Sequence, residues 1–201
     1  MFPVSLADTI DVVNHMGRYL LVSFVLLMAG AVVLTRLLPH PPNFTPVGAL
    51  ALFAGMYITQ KTKWGLLVPL VVLFTTDIFI GTYEWKLMAV VYLSFLAYVG
   101  IGALVAKKKH IATVLAGTLG GATLFYLTTN FAVWALNSAA YEPTLAGLMA
   151  SYTMALPFFK FTLLGDVFFV AVFIGSYELA VRYVFKESFA KKKEVVPVLS
   201  K

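Results

Sequence analysis

Two aspartates, Asp77 and Asp166, fall within apolar runs long enough to cross a membrane, where a carboxylate is costly unless it has a task or a partner. Other polar and aromatic side chains gather toward the same end of these runs. His40-Pro41-Pro42-Asn43-Phe44-Thr45-Pro46 separates two of them, Thr128, Thr129, Asn130 and Trp134 come late in another, and Asn137, Tyr141 and Glu142 follow. Lys160 precedes Asp166 by about 9 Å of helix. Asn130 and Trp134 are four apart and share a helical face. The opposite halves of the runs are nearly all Leu, Val, Ala and Phe. Polar groups collected at one end and sealed at the other suit the capture of a solute, whereas a channel needs them through the full thickness.

Each of these residues also has a plainer reading. Trp64, Trp85, Trp134, Tyr83, Tyr126 and Tyr141 lie near the ends of apolar runs, where an aromatic belt forms in any membrane protein. Asp77 has a local role open to it as a cap or ion-pair partner near the interface. His40 beside Pro41 suits a loop, and one histidine makes no metal site. Glu178 and Arg182, four apart, read as a structural pair.

Catalytic signatures are missing. Walker A, HExxH and GxSxG do not occur, and with no cysteine there is neither a thiol nucleophile nor Cys-ligated zinc. Two carboxylates sharing a proton perform hydrolysis in aspartic proteases. Intramembrane enzymes of that kind carry GxGD, but Leu163-Leu164-Gly165-Asp166 lacks the first glycine, and Thr76 stands before Asp77 where a tyrosine belongs. The expectation is therefore a protein that is not an enzyme, with no catalytic residue, no metal and no cofactor.

The elements that position these residues follow from composition. Of 201 residues 61% are apolar and 12% charged, too little charge to cover a soluble surface. A hydrocarbon core of about 30 Å takes roughly 20 helical residues, and backbone groups in lipid must be satisfied internally. Runs such as Trp64–Phe74 do not alternate as barrel strands do. The sequence predicts an all-α integral membrane bundle of six spans, at about 19–38, 46–60, 64–81, 85–106, 111–136 and 161–185. Residues 1–18 precede this single membrane domain of 19–186, and 187–201 form a basic, solvated tail. A second short apolar stretch, 145–156, is expected to be a non-spanning helix ended by Pro157. Thr45 and Pro46 suit the start of the second span, which is rich in small residues (Gly48, Ala49, Ala51, Ala54, Gly55). Gly117 and Gly121 give the fifth span a face for close packing.

The net charge of +6 reflects how Lys and Arg are distributed about a membrane, and no nucleic-acid partner is expected. With six spans and the N-terminus inside, Arg18, Lys61, Lys63, Lys107–Lys109, Arg182 and the tail lysines share one side, and only Arg36, Lys86 and Lys160 face the other. A five-span arrangement with 47–59 re-entrant scores equally well. Charge therefore sets the C-terminus in the cytoplasm and leaves the N-terminus open between the two.

The runs HPPNFTPVGALALFAG (His40–Gly55), TTD (Thr75–Asp77), TNFAVW (Thr129–Trp134), YEPTLAGL (Tyr141–Leu148) and ALPFFKFTLLGD (Ala155–Asp166) resemble an uncharacterised bacterial family of integral-membrane proteins counted among transport proteins. That family is similar to the S-components of energy-coupling-factor transporters, six-helix proteins that bind vitamins in an outward pocket. The resemblance implies a multi-pass protein of the bacterial inner membrane that takes up a small water-soluble nutrient such as a vitamin. His40, Asn43, Asp77, Asn130, Trp134, Tyr141 and Asp166 would line its pocket. It also implies docking on a transmembrane coupling protein with ATPase subunits in trans. Such docking commonly uses an AxxxA face in span one, whereas here Ala29 is followed by Val33, so a solitary transporter is the other arrangement. A proton- or ion-coupled carrier using Asp77 and Asp166 is the alternative mechanism, and a non-transporting membrane scaffold is the third.

Overall fold

The structure, a computed structural model, describes residues 6–136 and 140–195. Its regular elements are helices, and no strand occurs among the described residues. They are α1 (Leu6–Leu37), α2 (Val47–Phe53, continued by a π-helical turn over Ala54–Ile58), α3 (Val68–Ile80, led by a 3-10 turn over Lys63–Leu66), α4 (Trp85–Val105), α5 (Ile111–Leu136) and α6 (Leu145–Val195). Five of them are long and apolar enough to cross a bilayer; Val47–Ile58 is shorter.

Contacts fix the direction of each helix. Gly48 lies against Asp166 and Tyr57 against Glu178, so α2 and α6 are parallel. Ser94 meets Thr128 while Tyr98 meets Thr118, so α4 and α5 are antiparallel. Asn130 meets Ser151 and Tyr126 stacks on Phe159, so α5 and α6 are antiparallel too. Phe24 packs on Tyr177, whereas Arg36, near the other end of α1, pairs with Asp77 near the end of α3. Helices α1, α3 and α5 thus run one way and α2, α4 and α6 the other. Because α1 and α2 end at opposite ends of the bundle, the chain reverses direction five times through its six helices. Arg18, Lys61 and Lys63 consequently lie toward the same end as Lys107–Lys109.

The second expected span is corrected in character. At 1.5 Å per residue Val47–Ile58 covers about 18 Å, well short of a hydrocarbon core, and every residue in it is buried. It is the central post of the bundle. Its small residues permit this. A Cβ on Gly55 would overlap the Val99 carbonyl of α4, and one on Gly102 would overlap the Leu52 carbonyl, so the two backbones touch. The i→i+5 bond from Thr59 N–H to the Ala54 carbonyl, 3.0 Å, marks the wider turn at this crossing. Replacing Gly55 by valine should force the helices apart and lower the detergent melting temperature. Gly120→Ala, which meets open space, should leave it unchanged.

The non-spanning helix at 145–156 is also corrected. Helix α6 runs unbroken for 51 residues, through Pro157. Proline removes one ladder bond and crowds the preceding turn, but neighbours can supply what is lost in a membrane helix. Here the Tyr126 hydroxyl donates to the Tyr152 carbonyl at 2.7 Å, Tyr152 to Leu127 at 3.0 Å and Ser151 to Asn130 at 2.9 Å. These bonds tie α6 to α5 in the turn that precedes the proline. Residues 187–195 are helical and continue α6, residues 6–18 belong to α1, and residues 196–201 of the expected tail lie outside the described residues.

Candidate functional site

Because α2 is only half a span, the chain between α1 and α2 has to enter the bundle. Phe44 packs on Phe168 and Phe169, at 6.0 and 5.4 Å between ring centroids, and Pro46 is fully buried. Irregular backbone at such depth is tolerated where it is enclosed by protein or lines a cavity, and this segment does both. Asn43 takes a left-handed conformation (φ 62°), which asparagine accepts more readily than most residues. It borders two adjoining cavities. The larger, about 210 Å³, is walled by Phe125, Tyr126, Thr129 and Asn130 of α5 and by Ala155, Phe158, Phe159 and Thr162 of α6. The smaller, about 50 Å³, shares Asn43, Phe125 and Thr162 with it and leads to Thr45, Gly48, Tyr98 and Asp166.

Asp166 forms the floor. Its side chain is buried and accepts one hydrogen bond, from the Tyr98 hydroxyl to Oδ2 at 3.0 Å. That hydroxyl also bonds the Thr118 carbonyl at 2.9 Å. The Tyr98 ring fits where it does because Gly121 has no side chain, and the carboxylate fits because Gly48 has none; a Cβ at either would overlap it. Oδ1 has no hydrogen bond from a described residue. A buried carboxyl with so few partners is costly to hold as a charge unless a ligand completes its shell. The other polar groups on the walls are mostly committed to backbone. Asn130 Nδ2 donates to the Tyr126 carbonyl, Thr129 to Phe125 and Thr162 to Phe158. What remains is rich in acceptors: the Asp166 carboxylate, the Asn130 amide oxygen, two hydroxyl oxygens and the adaptable Asn43 amide. Among the described residues no lysine, arginine or histidine lines either cavity.

The seven expected site residues divide. Asn43, Asn130 and Asp166 converge on this cavity. His40 stays in the loop, with Nδ1 2.8 Å from the Leu38 carbonyl. Trp134 donates from Nε1 to the Glu142 carbonyl at 3.0 Å, closing the α5–α6 connection, and Tyr141 lines neither cavity. Asn137 lies outside the described residues. Asp77 belongs to a separate network: Arg36 Nη2 donates to its Oδ1 at 2.5 Å and the Tyr92 hydroxyl to its Oδ2 at 2.7 Å. Arg36 Nη1 is buried without a partner among the described residues. Asp77 and Asp166 share neither a hydrogen bond nor a cavity wall, so they are not arranged as a dyad holding one proton. Glu178 also departs from expectation, accepting from Tyr57 at 2.6 Å instead of pairing with Arg182.

Sequence reasoning missed Tyr98, Thr162, Phe158, Phe159 and Arg36. Thr162 was within reach, being four residues before Asp166 on the same face. Tyr98 was too, since a phenol in the middle of an apolar span needs a partner. Arg36 gave no local signal, because its partner lies 41 residues away.

Among known proteins, the model described as "Family of unknown function (DUF6580)" matches residues 17–191, and the chain belongs to that family. No curated protein and no solved structure matches it.

Proposed function

We propose that this DUF6580 member is a membrane transport protein that captures a small water-soluble nutrient in the cavity beneath Asn43 and carries it across the bilayer. The observation that carries this reading is the broken path over 38–46, which lines a polar cavity floored by the buried carboxylate of Asp166. Interrupted or unusually short helices mark substrate sites in many transporters, and a buried carboxylate in a span is expensive to retain without a use. At about 210 Å³ the larger cavity falls below the roughly 300–1,000 Å³ of drug-sized ligand sites. A compact solute suits it. The acceptor-rich lining favours one that presents N–H donors or a positive charge to Asp166 and a flat apolar part to Phe125, Phe158 and Phe159.

Chain length, six alternating passes and the buried small-residue helix after the first loop support likeness to vitamin-binding S-components. The Lys and Arg gathered at the end shared by Lys61, Lys63 and Lys107–Lys109 support a cytoplasmic position for that end in a bacterial inner membrane, by the positive-inside rule. The cavity then opens toward the outside. Energy would come from a coupling protein with ATPase subunits in trans. The second reading, a proton- or ion-coupled carrier, is favoured by Asp166 alone, since Arg36 and Tyr92 already satisfy Asp77. Uptake that collapses with the proton gradient would select it, and dependence on partner genes would select the first.

The test is mass spectrometry of small molecules co-purifying with the detergent-solubilised protein. A compact amine or N–H-rich heterocycle at near-stoichiometric ratio is expected. No bound solute, together with no thermal shift across a panel of such nutrients, would contradict the proposal.

A further inference from the structure

At the opposite end of the bundle from the Asn43 cavity, a larger groove of about 400 Å³ opens between the start of α5 and the second half of α6. Its walls are apolar: Ile111, Val114 and Leu115 on one side, Val170 and Ile174 on the other. Two cations, Lys109 and Arg182, border the opening, with His110 beside them. Among the described residues the one carboxylate there is Glu178, which accepts from the Tyr57 hydroxyl at 2.6 Å. Lys109 Nζ lies 4.2 Å from the centroid of the Tyr57 ring, a cation–π contact that holds the ammonium at the mouth. Among the described residues the only ion pair is Arg36–Asp77, so within that set neither Lys109 nor Arg182 is paired with a carboxylate. Ile111 is 83% exposed, which leaves the apolar wall open to the side, where acyl chains lie.

We propose that this groove binds an anionic phospholipid, with the headgroup phosphate between Lys109 and Arg182 and an acyl chain along Ile111, Val114 and Ile174. Charge complementarity selects the occupant. A zwitterionic lipid has the same chains but brings a cation of its own to a mouth that is already positive, and a soluble anion would leave the apolar wall uncovered. Basic pockets between transmembrane helices on the cytoplasmic side take anionic headgroups elsewhere for the same reason. The groove shares no lining residue with the Asn43 cavity, so its lipid preference does not depend on a solute binding there.

Native mass spectrometry of the full-length protein in detergent, titrated with palmitoyl-oleoyl phosphatidylglycerol or the matching phosphatidylcholine, tests this. One phosphatidylglycerol should be retained in clear preference to phosphatidylcholine. Lys109→Gln and Arg182→Gln should each weaken that retention about fivefold, and the double variant should lose the preference while keeping the wild-type melting temperature. Equal retention of the two lipids would overturn the proposal. So would a preference that survives the double substitution, or one abolished by glycerol phosphate, which carries the headgroup chemistry without chains. A double variant that no longer folds hands the test to Val114→Trp, which fills the groove and should reduce bound phosphatidylglycerol; unchanged binding there would equally overturn it.

Discussion

Asp166→Asn should abolish high-affinity solute binding while leaving the fold intact. Asparagine is nearly isosteric with aspartate, and its amide oxygen can still accept the bond that the Tyr98 hydroxyl now gives to Oδ2 at 3.0 Å. The packing around Gly48 and Gly121 is therefore preserved. What disappears is the charge facing the cavity, replaced in part by an amide donor aimed at the ligand's own donors. Truncating one member of a buried charge-assisted contact costs about 2–5 kcal/mol, a loss of roughly 30-fold or more in affinity. Isothermal titration with the co-purified solute measures it. Wild-type affinity in Asp166→Asn, with a normal melting temperature, would remove Asp166 from the binding role.

The second large effect lies in stability, not binding. Asp77→Ala strands the Arg36 guanidinium, whose side chain is 18% exposed and whose Nη1 is already without a partner. It also frees the Tyr92 hydroxyl. Breaking a buried ion pair by removing one partner costs about 3–5 kcal/mol. For a chain of this size that corresponds to a drop of about 10 °C in detergent melting temperature. Removing both charges together, as in Arg36→Met with Asp77→Val, should recover most of the loss, because the pair also bears a desolvation cost that apolar side chains do not. Solute affinity should stay within about threefold of wild type in the double variant if it folds, since neither residue lines the cavity. A large loss of affinity there would tie Asp77 to the substrate path after all.

Helical membrane character was legible because apolar length alone reports it, as at Trp85–Val105 and Ile111–Leu136. The site was legible only where polarity broke that pattern. Asn43, Asn130 and Asp166 stood out as polar residues among apolar neighbours and do converge. Trp134 and His40 stood out in the same way and do not, because an interfacial or loop role produces the same local signal. The fate of Pro157 could not be read from its own turn: whether a helix continues past proline depends on the neighbour it packs on, here α5, which Tyr126 and Asn130 tie to the preceding turn. The half-length of α2 was visible in the sequence. Its complete burial was not, since that follows from the facing glycines 55 and 102 on two separate helices.

The central claim, that a solute occupies the cavity under Asn43, is most directly tested by site-specific protection. The chain has no cysteine, so Ala155→Cys on the cavity wall gives a single thiol to follow. Its alkylation by a small reagent should slow tenfold or more when the solute extracted from the purified protein is added back. Ala171→Cys, in the groove at the other end, should react at the same rate with and without it. Unprotected Cys at 155, or protection at 171 instead, would contradict the account.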